Sequence, residues 1–449
     1  MEREKLGGRL GFILLSAGCA IGMGNVWKFP YITGQNGGGA FVLIYLFFLL
    51  VIGLPVLMIE FSLGRASRKS VARMYHELEP QGTRWHLHGW LAMAGNYLLM
   101  MFYTTVTGWM LYYCGSTARG KFMGLDPAGI SGEFGKLCSD PFTMAVYMIA
   151  VVALGFFICS FSLSGGLERV TKYMMLALLG IMVMLAVNSV MMKGAGEGLA
   201  FYLKPDFSKI NGSVIVSAIN QAFFTLSLGI GSMAIFGSYL DKTHSLLGES
   251  VNVIVLDTFA AIVSGLIIFP ACFTYGVSPN SGPSLIFETL PNIFNHMPLG
   301  RLWGMLFFVF MSFAALSTVL AVFENIISCC RDLTGWSRGK ACLVNSVVLS
   351  LLSMPCVLGF NCWSRVKIAG LDIMGMEDFL VSNCLLPLGA LIFVLFVTWR
   401  NGWGWKNFMA EANTGRGWKV QNWMRGYITY ILPLIIFSLL VMGIISVFK

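Results

Sequence analysis

The sequence predicts an all-α integral membrane protein with about eleven transmembrane helices, arranged as two inverted five-helix repeats in which helices one and six are broken. Three observations predict this fold class. The chain is 57% hydrophobic and only 11% charged, whereas a soluble protein carries about 25% charged residues. Apolar runs of about 20 residues, the length that crosses a bilayer, recur from end to end. Glycines interrupt the first and sixth of these runs.

Eleven apolar segments are predicted to span the membrane. They cover residues 9–34, 39–63, 88–114, 142–160, 166–191, 213–239, 246–276, 302–330, 340–359, 377–398 and 425–447. Residues 281–298 are too short and too polar to span, so we predict an outer hairpin there. The predicted domains are a first repeat at 1–191, a second repeat at 192–399, and an inner interfacial loop with the last span at 400–449.

The distribution of charge predicts the orientation. Segments on the side of the N-terminus carry about twice as many Lys and Arg residues as segments on the other side, and such residues are retained in the cytoplasm. We therefore expect a cell-membrane protein with its N-terminus in the cytoplasm and its C-terminus outside. The net charge of +9 is scattered among loops, which disfavours a nucleic-acid partner. Cys114 and Cys138 flank one outer loop, and both the free and the paired form remain open.

Spans 1 and 6 contain residues that disfavour an intact helix. The critical stretches are Gly18-Cys19-Ala20-Ile21-Gly22-Met23-Gly24-Asn25 and Phe223-Phe224-Thr225-Leu226-Ser227-Leu228-Gly229-Ile230-Gly231. Glycine destabilises a helix interior by about 1 kcal/mol relative to alanine. Small residues also permit close helix packing, which is the simpler explanation for either span alone. Because the two spans begin successive sets of five, together they predict an inverted-repeat transporter with its site at the breaks.

A broken helix offers particular chemistry inside a membrane. Unwinding frees backbone groups that lipid cannot satisfy. The N-terminus of a half-helix attracts a carboxylate, and freed carbonyl oxygens bind a hard cation. The two breaks therefore suit an amino-acid zwitterion together with sodium.

Five polar residues within the spans have separate interpretations. Asp257 lies deep in span 7 and is predicted to be a cation ligand, because buried carboxylates in membranes mark function or pairing. Glu60 is predicted to brace freed backbone, and Glu324 is assigned a structural role. For Ser317 and Thr318, hydrogen bonds back to carbonyl groups one turn earlier are the favoured explanation from the residues alone.

Two motifs together resemble the neurotransmitter:sodium symporter family. The first runs from Arg9-Leu10-Gly11 through Asn25-Val26-Trp27-Lys28-Phe29-Pro30-Tyr31 and continues at Asn36-Gly37-Gly38-Gly39-Ala40-Phe41; the second is Phe223-Phe224-Thr225-Leu226-Ser227-Leu228-Gly229. The resemblance covers the chain through span 10. A count of eleven spans, rather than twelve, also resembles many bacterial members. It implies a leucine-transporter-like fold and sodium-coupled symport of an amino acid by alternating access.

The resemblance implies two sodium sites and one substrate site. The ligands of the first sodium site would be Ala20, Asn25, Thr225 and Asp257, with the substrate carboxylate. Those of the second would be Gly18, Ile21, Ala314, Ser317 and Thr318. The substrate would contact Ala20, Gly24, Leu99, Tyr103, Phe224, Thr225, Ser227, Ile230, Thr318 and Val322.

Two gates are also implied by the resemblance. The outer gate would pair Lys28 with Asp378, where most relatives have arginine in place of the lysine. The inner gate would pair Arg3 with Asp332 near Tyr239. Leu6 stands where relatives often have tryptophan, which leaves that part of the inner seal open to question.

Chloride dependence depends on span 7. Animal members of the family have asparagine at the position of Asp257 and bind chloride nearby, so a fixed carboxylate predicts transport without chloride. Ala261 replaces a serine common at the chloride site, although Tyr45 and Gln221 remain. Ile230 and Val322 are smaller than an aromatic residue and leave room in the predicted pocket, which carries no charged side chain. A large hydrophobic or aromatic amino acid is therefore favoured over a small neutral one. Proton coupling is the alternative to sodium coupling, and an enzyme, a channel and a sensor are disfavoured.

Overall fold

Membrane-spanning helices make up most of the chain. The computed structural model describes residue 4 and residues 6–277 and 285–445, and every regular element within these ranges is a helix. Eight uninterrupted helices are long and apolar enough to cross a membrane, and a pair bent by 51° makes a ninth. A 32-residue helix and one further broken pair complete the predicted eleven.

The eleven spans follow one another as predicted. In chain order they are Arg9–Ala20 with Gly24–Gln35, Gly39–Ser67, Leu87–Ala118, Pro141–Ser160, Leu163–Val190, Gly212–Thr225 with Ser232–Tyr239, Leu246–Thr274, Gly300–Thr334, Arg338–Gly359, Ile373–Thr398 and Met424–Ile445. Their described ends differ from the predicted ends by four residues or fewer. The predicted end of span 11, at residue 447, lies outside the described residues.

Shorter helices lie between the spans. They are Val71–Leu78, Pro127–Ser139, Ala195–Leu203, Leu290–His296 and Trp405–Ala412, with a 3-10 turn at Phe207–Lys209. The predicted outer hairpin at 281–298 is described from residue 285 onward; its first four residues lie outside the described ranges. Its described part packs against the bundle, since Phe287 is fully buried and lies edge-on against Trp109 of span 3.

Proline residues determine where several helices widen. Five π-helical turns each end two residues before a proline: Gly24–Lys28, Leu49–Gly53, Leu285–Thr289, Leu380–Leu385 and Tyr427–Ile431. A proline lacks the N–H that would bond to the carbonyl four residues earlier, and its ring clashes with that carbonyl. The wider turn relieves the clash, as π-bulges commonly do in long helices. Four of these turns lie in spans 1, 2, 10 and 11.

The centre of the bundle holds both breaks. In span 8 the most apolar stretch is 83% buried, against 33% in span 11, so span 8 is central and span 11 faces outward. Spans 2 and 6 approach closely: a Cβ on Gly64 would lie 1.8 Å from the carbonyl oxygen of Ala234.

Cys114 and Cys138 are both free thiols.

Candidate functional site

Span 1 unwinds at Ile21, and span 6 unwinds between Leu226 and Gly231. Ile21 has ψ 84°, which ends the first half of span 1. In span 6 the backbone is left-handed at Ser227, with φ 51°, and at Gly229, with φ 99°. A Cβ at Gly229 would lie 2.1 Å from the carbonyl oxygen of Leu386, so glycine is required there for two reasons. Both predicted breaks are confirmed.

Buried side chains satisfy the freed backbone. The carboxylate of Glu60 accepts a hydrogen bond of 2.6 Å from the Gly229 N–H, which confirms the predicted bracing role. The amide of Gln221 donates to the Gly24 carbonyl at 2.8 Å. Because an unpartnered backbone group costs several kcal/mol in a membrane interior, these contacts make the broken geometry possible.

The first oxygen cluster consists of Asn25, Thr225 and Asp257, all fully buried or nearly so. The Thr225 hydroxyl donates to Asn25 Oδ1 at 2.8 Å and lies 3.2 Å from Asp257 Oδ1. The Asn25 amide donates to the same carboxylate at 2.9 Å, and the Tyr45 hydroxyl donates to its other oxygen at 3.3 Å. Three distant parts of the chain therefore converge on one point. The Ala20 carbonyl accepts the Gly22 N–H at 2.9 Å at the adjoining break.

The second oxygen cluster joins two hydroxyls of span 8 to the carbonyl groups of span 1. The Ser317 hydroxyl donates to the Ala314 carbonyl at 2.8 Å, as the simple backbone explanation predicts, and lies 3.3 Å from the Ile21 carbonyl. The Thr318 hydroxyl lies 3.2 Å from a carbonyl of span 1. The carbonyl oxygens within 3.4 Å of these two hydroxyls are those of Gly18, Cys19, Ile21 and Ala314.

A small cavity of about 10 Å³ lies beside both clusters. Seven of the predicted substrate contacts line it: Ala20, Gly24, Leu99, Tyr103, Phe224, Ser227 and Thr318. Tyr103 accepts the Met23 N–H at 3.0 Å, at the start of the second half of span 1. Leu386 also lines the cavity, and sequence reasoning missed it because span 10 shows only an apolar run at this point.

Three predicted contacts lie away from this lining. Thr225 belongs to the first oxygen cluster. Ile230 is fully buried, and its carbonyl accepts the Asn96 amide at 2.8 Å. Val322 is fully buried in span 8, one turn beyond Thr318. Their contact with a substrate stays a prediction.

The predicted outer pair is formed. Lys28 Nζ lies 3.5 Å from the Asp378 carboxylate, and both side chains are partly exposed. The Ser382 hydroxyl donates to Asp378 at 2.6 Å. The ammonium of Lys28 also lies 3.8 Å from the centre of the Phe224 ring. Lys28, Asp378 and Phe224 line a second cavity of about 200 Å³.

The end of the bundle where the N-terminus lies, which is predicted to face the cytoplasm, holds a larger ionic network. Arg3 lies outside the described residues, so the predicted pair with Asp332 stays a prediction; Asp332 accepts the Ser70 N–H at 2.7 Å. Tyr239 donates to Glu324 at 2.7 Å, which fits the structural role expected of Glu324.

Glu4 belongs to the same network and was missed by sequence reasoning. Its carboxylate lies 3.0 Å from Arg331 Nη1 and accepts the Leu163 N–H at 2.9 Å. Burial alone would raise the pKa of Glu4, but the Leu163 N–H and the guanidinium groups of Arg338 and Arg331 together hold it below its ordinary value. No sequence motif marks these partners, because they are brought together only by the fold.

Both oxygen clusters fit a hard monovalent cation. Every candidate ligand is a carbonyl, hydroxyl, amide or carboxylate oxygen, and the first cluster alone carries a formal negative charge. Hard cations prefer such ligands, whereas zinc and copper favour nitrogen and sulfur. The break of span 1 lies between the two clusters, so one unwound segment serves both.

The chain is similar to sodium-dependent transporters over nearly its whole length. A sequence model described as the sodium:neurotransmitter symporter family matches residues 3–122 and 133–449. The chain is 35% identical to the sodium-dependent transporter YhdH of Bacillus subtilis, over 87% of this chain and 86% of that one. It is 32% identical to a sodium-dependent transporter of Haemophilus influenzae, over 97% of both chains.

A more distant relative and a solved structure are also similar to this chain. The sodium- and chloride-dependent taurine transporter of Bos taurus is 25% identical over 97% of this chain and 77% of that protein. The crystal structure of MhsT in complex with L-phenylalanine matches with a TM-score of 0.89 and 36% identity, covering 98% of this chain and 100% of MhsT.

Gly22 provides a test of the cavity geometry. A Cβ at this position would lie 2.3 Å from Thr318 Oγ1 and 2.4 Å from Tyr103 Oη. Gly22→Ala must displace one of these hydroxyls at a cost of about 1–3 kcal/mol, so sodium-dependent amino-acid binding should weaken by about five- to a hundredfold. Equilibrium binding to the purified protein measures the change.

Gly180→Ala is the matched control, because a Cβ there meets nothing within 4 Å. It should bind like the unmutated protein. If Gly22→Ala is folded and binds with unchanged affinity, these hydroxyls do not border the binding site.

Proposed function

The chain belongs to the sodium:neurotransmitter symporter family, and from this premise we propose that it imports a neutral amino acid with a large hydrophobic or aromatic side chain, using two sodium ions and no chloride. Family membership itself makes the chain a multi-pass, sodium-dependent membrane transporter rather than an enzyme. The observation that carries the finer proposal is the pair of oxygen clusters beside one small cavity.

The two clusters support two sodium sites. In the proposal, the first ion is held by Ala20, Asn25, Thr225, Asp257 and the carboxylate of the substrate. The second is held by Gly18, Ile21, Ala314, Ser317 and Thr318. Direct ligation of the first ion by the substrate would make binding of the two interdependent, which is the simplest physical basis for coupled transport.

The lining of the cavity supports a neutral substrate with an apolar side chain. Leu99, Phe224 and Leu386 give it apolar walls, and no charged side chain is among the described residues that line it. MhsT was solved with L-phenylalanine, which favours an aromatic substrate for this chain too. A small neutral amino acid is the alternative. Proton coupling is the other alternative, because Asp257 is a buried carboxylate with hydrogen-bonding neighbours.

The gates and the orientation complete the proposal. Lys28 and Asp378 would close the outer side, and Arg3, Asp332 and Tyr239 the inner side, in alternation. The distribution of positive charge supports a cytoplasmic N-terminus and an external C-terminus. We also propose repeat boundaries at residues 191 and 399, because spans 1 and 6 each begin a set of five.

Uptake into proteoliposomes tests the number of sodium ions. Each ion gains about 2.3 kcal/mol from a potential of −100 mV and about 1.4 kcal/mol from a tenfold sodium gradient. Two ions therefore allow accumulation of the order of 10⁵-fold, and one ion about 500-fold. We expect the labelled amino acid to accumulate well beyond the limit for one ion, and uptake in potassium buffer to be negligible. Equal uptake in sodium and potassium would refute sodium coupling.

Ser317→Ala tests the second sodium site. Loss of one oxygen ligand should raise the sodium concentration for half-maximal binding at least about tenfold, a change of about 1.4 kcal/mol. Ser264→Ala is the matched control: Ser264 is equally buried in a span, and its hydroxyl bonds only to the Ala260 carbonyl one turn earlier. Equal sodium titrations for the two variants would remove Ser317 from the site.

Paired substitutions test the outer gate. Asp378→Ala should lower the rate of transport more than it lowers sodium affinity, because this pair controls closure and lies outside both oxygen clusters. Lys28→Arg should retain transport, since arginine keeps the charge and adds a second donor to the carboxylate. Parallel uptake and sodium-binding measurements separate the two effects. Complete loss of transport in Lys28→Arg would argue against the gate.

Replacement of chloride tests the role of Asp257. Two unit charges about 4 Å apart interact by about 4 kcal/mol at an effective dielectric of 20, so neighbouring cations need a negative charge nearby. Asp257 supplies that charge permanently, and uptake should be the same in gluconate as in chloride. Asp257→Asn should abolish uptake, and adding Ala261→Ser should restore part of it in chloride only. Chloride dependence of the unmutated protein would rule out this role for Asp257.

A further inference from the structure

Three potential metal ligands converge in the loop between spans 2 and 3, away from the transport site. They are His76, Glu79 and His86, whose ligand atoms all lie within 4.8 Å of one another. Glu79 Oε1 lies 2.6 Å from His86 Nδ1 and 3.7 Å from His76 Nδ1. The two imidazole rings stack at 4.6 Å. His76 and Glu79 are one helical turn apart at the end of the helix Val71–Leu78, so the sequence presents both on one face.

The chemistry of this group suits zinc better than sodium. Two imidazole nitrogens and one carboxylate oxygen are a common zinc set, with ligands at about 2.0–2.1 Å and water in the fourth position. Tetrahedral bonds of that length separate the ligand atoms by about 3.3 Å. The two Glu79 separations, 2.6 and 3.7 Å, lie on either side of this value, and all the ligand atoms lie within 4.8 Å of one another. Side-chain rotations that also unstack the two imidazole rings would bring the three atoms into range. His76 and His86 are 43% and 29% exposed, which leaves a path for the ion.

The carboxylate of Glu79 is already oriented by its surroundings. Its second oxygen, Oε2, accepts the backbone N–H of His86 at 3.2 Å and the Thr83 hydroxyl at 3.3 Å. Hydrogen bonds of this kind fix the direction of metal ligands and are part of most metal sites. Oε1 is left facing the two imidazole rings. The arrangement is therefore more than a surface cluster of polar residues.

The loop also contacts the parts of the transporter that carry the breaks. Val71 packs where a Cβ on Gly231 would lie, at the start of the second half of span 6. Ser70 donates its N–H to Asp332 in the last turn of span 8. Tyr75 bonds to His88 at 2.6 Å and so ties the helix Val71–Leu78 to span 3. A metal bridge from residue 76 to residue 86 would close the loop into a ring and stiffen these contacts.

We propose that His76, Glu79 and His86 form a binding site for a zinc-class divalent ion, and that the bound ion slows the opening of the inner side of the transporter. The loop contacts the inner parts of both span 6 and span 8, and in the proposed alternating-access cycle these parts separate when the inner side opens. The ion stabilises the conformation in which these contacts exist, and a ligand that binds one conformation better shifts the population toward it.

Zinc binding to the purified full-length protein tests the site directly. Isothermal titration with zinc chloride should give one ion per chain for the unmutated protein. The double variant His76→Gln/His86→Gln should lose at least about a hundredfold in affinity, since two of three protein ligands are removed. His76→Gln alone should weaken binding, and its high exposure makes a folding defect implausible. His296→Gln is the control, because His296 is exposed and its ring bonds only to the Asn292 carbonyl.

Transport tests the regulatory part. Micromolar zinc on both sides of proteoliposomes should slow sodium-driven uptake by the unmutated protein and by His296→Gln at least about threefold, and should not slow uptake by the double variant. The binding measurement does not depend on which amino acid is carried, so failure of the proposed substrate would not affect it. Absence of zinc binding, or equal binding by the double variant, would overturn the site. Binding without a change in uptake would overturn the regulatory role.

Discussion

The need to satisfy backbone polar groups inside a membrane is the constraint on which this structure depends. Lipid offers no hydrogen bonds, so an unwound segment survives only where protein groups surround it. Spans 1 and 6 are unwound at the centre of the bundle, and buried polar side chains reach both. Glu60 binds the Gly229 N–H, and Gln221 binds the Gly24 carbonyl. Without these partners, intact helices would be more stable than broken ones.

A chain of amide hydrogen bonds also supports the break of span 6. The Asn96 amide donates to the Ile230 carbonyl at 2.8 Å, and the Asn325 amide donates to Asn96 Oδ1 at 3.0 Å. Spans 3 and 8 are thus joined to the break of span 6 by hydrogen bonds rather than by packing alone. Bonds in a low-dielectric interior are costly to leave unmade, so this chain of amides fixes one geometry. These hydrogen bonds do not use the freed carbonyl groups that face the oxygen clusters. Those carbonyl groups are therefore available to an ion.

The sequence was sufficient for the spans and the breaks, and less so for the site. The predicted span ends proved accurate to a few residues. They follow from the length of each apolar run, which is a property of the local chain. Glycines at corresponding positions of spans 1 and 6 predicted the breaks. The oxygen clusters came from a family resemblance, since Asn25 and Asp257 are separated by most of the chain. Leu386, Asn96 and Glu4 were missed because an apolar run, a lone amide and a terminal carboxylate have no local signature of their partners.

The ionic contacts at the two ends of the transport path differ in strength, and this difference constrains the transport cycle. At the outer end, span 1 meets span 10 through the partly exposed pair of Lys28 and Asp378 at 3.5 Å, a type of contact worth about 0–1 kcal/mol. At the inner end, Tyr239 of span 6 donates to the fully buried Glu324, which also binds Arg338. Separating a buried charge from its partners costs about 3–5 kcal/mol.

In the proposed cycle, opening the inner side would therefore need more free energy than opening the outer side, and ligand binding would have to supply the difference. A ligand shifts the balance only by binding one conformation better than the other. In the proposed mechanism, two cations and a zwitterion share ligands across spans 1, 6, 7 and 8, and their binding would draw these spans together. A lysine at position 28, with a single ammonium rather than a forked guanidinium, keeps the outer closure weak. In this proposal the outward-open conformation has the lower free energy, and binding of the substrate and the ions supplies the free energy that opens the inner side.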